Sequence, residues 1–369
     1  MEWNNNNKYN SFNSMKGLLY YEHYRNTLAW LDGKEKLLPP VECNLDPFAE
    51  CNLKCSFCIG QRYLRNHREE VGEMRVLPEN YIWKLVIFLA NWGVKGLCIS
   101  GGGEPSLHEG IAGLPSFAKE TCGMDVSFVS NGVNLKNTLI HNMMYCRWVS
   151  FSVDAADRET YKKIKGADKF DAVIRNIKRV TERRKLEKSQ VDVAYKYLIL
   201  PENQYSIFNA CKLAKELGVQ DFHARPCDFE RMDIEGHKKL NIDVKKVHEQ
   251  FDQCHEIEDE SFHVYTITHK FDPEFHVKHD FSRCYATLIL PILTDGNAYL
   301  CVDKKMEAKY RIGSAYPNPE QILEWWGSDA HRELIKSVDI NQCSRCTGGQ
   351  YNAQIENVVL QDKMCLSFP

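Results

Sequence analysis

Three cysteines within eight residues constrain this chain more than any other feature. Cys51-Asn-Leu-Lys-Cys55-Ser-Phe-Cys58 is a C-x3-C-x2-C run on a predicted loop that follows a strand. Thiolates this close together can each hold one iron of a 4Fe–4S cubane. No fourth cysteine stands at ligand spacing, so one iron would keep an open position for a small chelating molecule. From the cysteines alone two other readings stay open: half of a zinc site completed by a distant Cys or His, or part of a ferredoxin-like electron carrier, whose usual spacing is C-x2-C-x2-C-x3-C.

Composition narrows the setting. The chain of 369 residues holds 15 cysteines, and its start, Met-Glu-Trp followed by Asn4 to Asn7, has no apolar signal region. Reduced thiols as metal ligands or core residues therefore fit better than a disulfide scaffold. The expectation is a soluble cytoplasmic protein, since no apolar run reaches membrane-spanning length. A formal charge of −3 gives no bias toward nucleic acid, and the basic stretch Lys162 to Lys188 reads as a solvated helix face.

Hydrophobic periodicity gives the architecture. After a disordered first dozen residues and a helix over Gly17 to Leu31, short apolar strands alternate with amphipathic helices. Strands are predicted at Val41–Leu45, Gly96–Ser100, Asp125–Val129, Trp148–Val153, Val191–Leu200 and Asp221–Ala224. Helices are expected over Pro78–Trp92, Lys169–Glu187 and Tyr205–Leu217. Six β–α units demand parallel strands with right-handed crossovers. The fold class is α/β, an open partial (β/α)6 TIM-like barrel with its chemistry at the C-terminal strand ends. The organisation reads as residues 1–40 for an N-terminal segment and helix, 41–226 for the barrel, 227–283 for a linker or insert, and 284–369 for a second metal domain. The histidines of the linker (His237, His248, His255, His263, His269, His276 and His279) lack ligand spacing and read as surface residues.

The strand ends carry the next motifs. Gly101-Gly102-Gly103-Glu104 closes the second strand, where glycines let backbone approach a ligand and carbonyls and a carboxylate could receive an ammonium group. Ser130-Asn131 ends the third strand. Ser152 and Asp154 share one face at the end of the fourth. In this order the motifs resemble those of the radical S-adenosylmethionine (SAM) superfamily. The resemblance implies a SAM-binding 4Fe–4S cluster on Cys51, Cys55 and Cys58, and a 5′-deoxyadenosyl radical formed by reductive cleavage of SAM. It further implies SAM contacts from Gly101, Gly102, Gly103 and Glu104 to the amino group, from Ser152 and Asp154 to the ribose and charged end, and from Phe57 near the adenine. Ser130 and Asn131 join this set. An arginine that the family often places after the fourth strand is absent, and its contact to the SAM carboxylate falls to Lys163 or Lys165.

A second cysteine group lies far downstream. Eleven residues separate Cys284 from Gly296, four more lead to Cys301, and Cys343-Ser-Arg-Cys346 follows. A β-hairpin over Ala286–Leu300 with Asp295-Gly296 at its turn would bring Cys284 and Cys301 together, and Gln321–Val338 reads as an amphipathic helix. Four thiolates make a closed site, for which zinc and iron–sulfur are equally good on spacing. The pattern is similar to the twitch form of the SPASM/twitch radical SAM enzymes. That resemblance implies one auxiliary 4Fe–4S cluster on Cys284, Cys301, Cys343 and Cys346, with Cys365 unassigned. Cys43, Cys98, Cys146 and Cys211 read as core residues, whereas Cys227 stands at the barrel mouth as a candidate hydrogen-atom donor.

Two clusters imply a division of labour. The first reading is oxidation of a small polar substrate, a sugar or cyclitol alcohol, with the auxiliary cluster accepting the electron. Modification of a peptide, a Cys-dependent epimerisation and a non-enzymatic electron carrier are the alternatives. An external one-electron donor such as flavodoxin or ferredoxin is expected, with no nucleic-acid or membrane partner. Lys196, Asn203, His223 and Arg225 are substrate-side candidates by position alone.

Overall fold

The computed structural model describes residues 14–58, 60, 74–227, 241–271, 279–285, 287–343 and 346–361. Cys365, His237 and His276 lie outside them. The strands are β1 (Glu42–Leu45), β2 (Gly96–Ile99), β3 (Asp125–Ser130), β4 (Trp148–Ser152), β5 (Asp192–Ile199), β6 (Asp221–Pro226), β7 (His263–Thr266), β8 (Ile289–Ile292), β9 (Asn297–Tyr299) and β10 (Arg311–Ser314). They form one open sheet in the order β10-β9-β8-β1-β2-β3-β4-β5-β6-β7. From β8 through β1 to β7 every pairing is parallel, while β9 and β10 add antiparallel.

Side-chain alternation explains which face does what. Cys43, Leu45, Leu97, Ile99, Val126, Phe128, Val149, Phe151, Val193 and Tyr195 bury one face against the helices, in a core shared with Val173, Ile177 and Val180. The residues between them, Asn44, Cys98, Ser127, Ser150, Ser152, Lys196, His223 and Arg225, point to the other, concave face. A parallel sheet covered by helices on one side and concave on the other is the partial barrel that the alternation of strands and helices predicts.

The structure goes beyond that prediction in four places. The stretch 227–283, read as a linker, contains the helix Val244–Glu256 and β7, which extends the parallel sheet beside β6. Val247, Phe251 and Cys254 give this charged helix a buried stripe. The expected hairpin forms, with Gly296 at φ +73°, but its first strand pairs with β1. The distal region thus continues the barrel sheet, because Leu290 and Ile292 alternate into the same core and satisfy the free edge of β1. The helix expected over Gln321–Val338 is two helices, Ile322–Trp325 and Asp329–Lys336. Gly327 at φ +76° breaks it, and Ser328 starts the second by accepting from the His331 amide. Likewise the first helix is a 3-10 turn over Ser14–Leu19 followed by Tyr21–Leu31. Cys43, Cys98, Cys146 and Cys211 are buried. Among the described residues, no helix is long and apolar enough to cross a membrane.

Candidate cluster and cofactor site

The chain leaves β1 into the loop that carries Cys51, Cys55 and Cys58, all half-buried. Two backbone bonds moor this loop to the end of the helix Arg158–Lys165: the Lys54 amide donates to the Lys165 carbonyl at 2.9 Å and the Ser56 amide to the Ile164 carbonyl at 3.1 Å. Gly166, at φ +66°, allows the crossing, since a Cβ there would stand 2.7 Å from the Lys54 carbonyl oxygen. The thiols are electrostatic neighbours. Burial pushes Cys55 up to about 12, with Cys58 and Cys51 adding to it and Lys165 opposing. Cys51 is raised chiefly by burial as well. Its Sγ accepts from the Leu53 amide at 3.4 Å and from Asn131 Nδ2 at 3.6 Å. Donors aimed at sulfur suit a metal-bound thiolate, so the loop fits a cluster.

The glycine run meets this loop from behind. A Cβ on Gly103 would lie 2.4 Å from the Glu50 carbonyl oxygen and 2.5 Å from that of Phe48, so only glycine lets the two segments touch. The Glu104 amide then donates to the Glu50 carbonyl at 2.8 Å. The Glu104 side chain is 2% exposed. It accepts from the Ser106 amide at 3.0 Å, Ser130 Oγ at 2.8 Å and the Asn131 amide at 2.6 Å. Burial raises its pKa against these bonds. Glu104 therefore knits the ends of β2 and β3 together, and Asn131 carries the link to Cys51 and, at 2.7 Å, to Asn52 Oδ1. Ser130 and Asn131 support the loop.

At the end of β4 the structure departs from the expected contacts. Asp154 does not share an open face with Ser152. It takes φ +59°, is fully buried, and accepts from the Leu198 amide at 2.7 Å. Its other oxygen pairs with Lys165, itself 2% exposed. Burial works against the Lys165 ammonium, but Asp154 and then Cys55 raise its pKa. These residues form a buried ion pair beneath the cysteine loop, with Lys165 Nζ also 5.2 Å from the centroid of the Phe57 ring. Asn203, expected on the substrate side, is buried too, donating to the carbonyls of Asp154 and Leu198, each at 2.8 Å. Cys227 packs with Ile164 and Leu200, against which Phe57 and Leu198 lie.

Ser152 does face the concavity. With Val129, Lys196, Leu198, His223 and Arg225 it lines a cavity of about 150 Å³. Register explains the grouping: Ser152 pairs with Lys196, Lys196 with His223, and Leu198 with Arg225. Burial and the Arg225 guanidinium hold Lys196 down to about 8. Burial, with Lys196 and Arg225 beside it, depresses His223 well below the usual imidazole range. The sequence signal for this group was a charge at alternate positions of two otherwise apolar strands.

The distal cysteines converge from three segments. Cys284 and Cys346 are electrostatic neighbours, as are Cys284 and Cys301, and Cys343 and Cys346. Burial raises all three of Cys301, Cys343 and Cys346, Cys346 to beyond the ordinary thiol range. Against burial, the amides of Asp303 and Lys304 donate to the Cys301 sulfur and that of Gly348 to Cys346. Asn352 Nδ2 adds a contact to Cys346 Sγ at 3.6 Å. This donor set again fits metal-bound thiolates. Among the described residues no three His, Cys, Asp or Glu side chains close on a single ion; a cubane asks for ligands held further apart. The same loop sends Lys305 into the barrel, where Nζ meets Asp46 Oδ2 at 2.9 Å and Asn44 Oδ1 at 3.1 Å.

Comparison with known proteins agrees with this geometry. Residues 46–208 match the family model of the Radical SAM superfamily. A probable GTP 3′,8-cyclase of Saccharolobus islandicus is 30% identical over 176 residues, 47% of this chain and 52% of the relative. The GTP 3′,8-cyclase of Chlorobaculum tepidum is 32% identical over 132 residues, 35% of this chain and 38% of the relative. The chain thus spans about half the length, or less, of these curated relatives. Among solved structures, Streptococcus suis SuiB bound to S-adenosylmethionine superposes with TM-score 0.64 at 17% identity, over 90% of this chain and 78% of SuiB. Native anSMEcpe with bound AdoMet and a Cp18Cys peptide gives 0.58 at 18%, over 85% and 88%. These two share the fold. The segment that matches the Radical SAM family model is the one that carries the cysteine loop, the glycine run and β4.

Proposed function

We propose that the protein is a twitch-type radical SAM oxidoreductase that oxidises an alcohol of a small polar substrate, a sugar or cyclitol. When bound, the first cluster with SAM supplies a 5′-deoxyadenosyl radical, and an auxiliary cluster on Cys284, Cys301, Cys343 and Cys346 supplies an electron acceptor. The observation that carries the reading is Lys305. It leaves the loop that follows Cys301 and binds Asp46 and Asn44 at the end of β1, five residues before Cys51. The distal cysteine loop is thereby fastened to the strand that feeds the first.

The chain's own residues divide the remaining work. Cys51, Cys55 and Cys58 hold the first cluster, with Asn131 and the Leu53 amide donating to sulfur. Gly101, Gly102 and Gly103 offer backbone to the SAM amino group, Phe57 packs near its adenine, and Ser152 lies at the cavity rim. Glu104, Asp154 and Lys165 position the loop. The electron for SAM cleavage comes from an external donor such as flavodoxin or ferredoxin.

Two other readings have observations behind them. Cys227 packs beside the cysteine loop's Phe57, where a thiol could return a hydrogen atom and make the enzyme an epimerase. The shared fold with SuiB, solved with the precursor peptide SuiA, keeps a peptide substrate in view, and the names of the curated relatives keep a nucleotide. The test is a Cys301→Ala/Cys346→Ala variant of the reconstituted enzyme, assayed for 5′-deoxyadenosine and for a carbonyl product with a panel of polyols. Oxidation predicts SAM cleavage without carbonyl formation; a variant that still makes the carbonyl would remove the acceptor role. Loss of product on Cys227→Ala alone would favour the epimerase.

A further inference from the structure

Beneath the cysteine loop lies a buried donor without an acceptor. The phenols of Tyr81, Tyr195, Tyr197 and Tyr299 each donate to an oxygen at 2.6 or 2.7 Å. Tyr161 is fully buried, and its hydroxyl has no hydrogen-bond partner among the described residues. An unpaired buried hydroxyl costs stability, so it asks for a reason. Tyr351 has the same deficit, with Tyr24 as its electrostatic neighbour. The neighbours of Tyr161 are of another kind: Cys55 first, then Asp154, Cys51 and Glu104. The carboxylates among them are engaged, Asp154 by the Leu198 amide and Lys165, Glu104 by Ser106, Ser130 and Asn131. Cys51 Sγ already accepts from the Leu53 amide and Asn131 Nδ2. Cys55 Sγ has no such donor among the described residues. The helix Arg158–Lys165 fixes this arrangement. Its last carbonyls, of Ile164 and Lys165, accept from the amides of Ser56 and Lys54, the two residues that flank Cys55. Tyr161 stands one turn before Lys165 on the same helix face, and its ring packs 5.7 Å from that of Phe170, centroid to centroid. A neutral thiol is a weak acceptor, whereas an iron-bound thiolate is a strong one.

We propose that Tyr161 is a positioning residue of the first cluster, whose hydroxyl donates a hydrogen bond to the iron-bound sulfur of Cys55 and raises the potential at which the cluster accepts its electron. This rests on the reading of Cys51, Cys55 and Cys58 as cluster ligands. Hydrogen bonds to ligand sulfur stabilise the reduced, more negative state of a cluster. Lys165, the other side chain of that helix face, is neutralised by Asp154, which leaves the hydroxyl as the group that favours reduction by an external donor.

The reconstituted full chain and its Tyr161→Phe variant are titrated with dithionite in the presence of redox mediators. The reduced clusters are followed by electron paramagnetic resonance, the first being recognised by its response to added SAM. Iron content and thermal melting accompany each sample. The expected result is equal iron in both proteins and a first cluster that is harder to reduce in Tyr161→Phe by about tenfold in its equilibrium constant, about 59 mV for one electron. The second cluster should not move. Metal-free Tyr161→Phe should melt no lower than the metal-free native chain, since phenylalanine removes an unpaired hydroxyl. An unshifted midpoint overturns the proposal. So does an equal shift at both clusters or a lower metal-free melting temperature, either of which marks a general change of packing. On the native protein itself, ring-deuterated tyrosine should give deuterium couplings to the first cluster in electron–nuclear double resonance. Their absence overturns the proposal whatever the variant does. A native chain with no SAM-responsive cluster defeats the cluster reading and this proposal together, whereas a SAM-responsive cluster with an unshifted midpoint defeats the proposal alone.

Discussion

The two cysteine groups are built by opposite means. The proximal three come from one loop of eight residues, and the fold's contribution is to hold that loop still: Gly103 and Gly166 let backbone pass close by, and Glu104 and Asn131 tie it to β2 and β3. The distal four come from three separated segments, and only the pairing of β8 with β1 and the break at Gly327 bring those segments together. A local loop can present three ligands and leave one face open for a chelating cofactor. A site assembled from separate segments closes around what it holds. The first arrangement suits a cluster that must react with a small molecule, the second one that only exchanges electrons.

This contrast can be broken from the proximal side first. Lys165→Met should have the largest effect, because it leaves Asp154 charged and buried beneath the cysteine loop. A loss of about 4 kcal/mol is expected, read as a drop in denaturant midpoint, with SAM cleavage lost and distal iron retained. Equal loss of iron at both sites would show that the two groups are not independent. Next comes Glu104→Ala, which strands three donors, the Ser106 and Asn131 amides and Ser130 Oγ, at a cost of about 3 kcal/mol. Glu104→Gln keeps one acceptor oxygen, enough for two of the three donors, and should recover about half; a Gln variant as poor as Ala would mean that charge, rather than knitting, is the role of Glu104.

The link between the regions can then be cut. Lys305→Met removes the partner of Asp46, which is 2% exposed but still accepts from Ser100 Oγ at 3.1 Å. About 2 kcal/mol should be lost, and hydrogen exchange should rise over Cys301–Glu307 but not over Cys51–Cys58. Protection unchanged in both would dismiss Lys305 as the fastening.

A smaller effect lies at the base of β1. Burial raises Glu42 to about 7. Between the ordinary carboxyl range and that value the folded protein holds a proton that the unfolded chain has released, so stability is full at low pH and falls as pH rises through 7. The span should be about 2 kcal/mol for this largely buried group, and Glu42→Gln should flatten it in melts from pH 5 to pH 8. An unflattened slope would move the titration to another residue.

How much of this could be read in advance follows the same division. The six barrel strands were legible because apolar runs of four to eight residues sit between strong turn signals, as at Trp92-Gly93 and Asp295-Gly296. The two cysteine groups stood out by their spacing, which left zinc and iron–sulfur equally open for the distal one. The roles of Asp154 and Lys165 were not, since both lie at positions where the family presents polar atoms to SAM, and only the positive φ of Asp154 turns its carboxylate down onto Lys165. The strand β7 and the helix before it were hidden by charge: a three-residue apolar stripe among lysines and glutamates reads as a solvated surface until a neighbouring strand needs covering. The basic group on β5 and β6 was visible residue by residue, yet its convergence depends on register, which no single strand encodes.

The most direct test of two separate cubane sites is the iron content after anaerobic reconstitution of the native chain and of a Cys51→Ala/Cys55→Ala/Cys58→Ala variant. Two cubanes predict about eight irons falling to about four, with the remaining cluster reducible but inert toward SAM. A variant that holds no iron would contradict it and return the distal cysteines to a zinc or purely structural site.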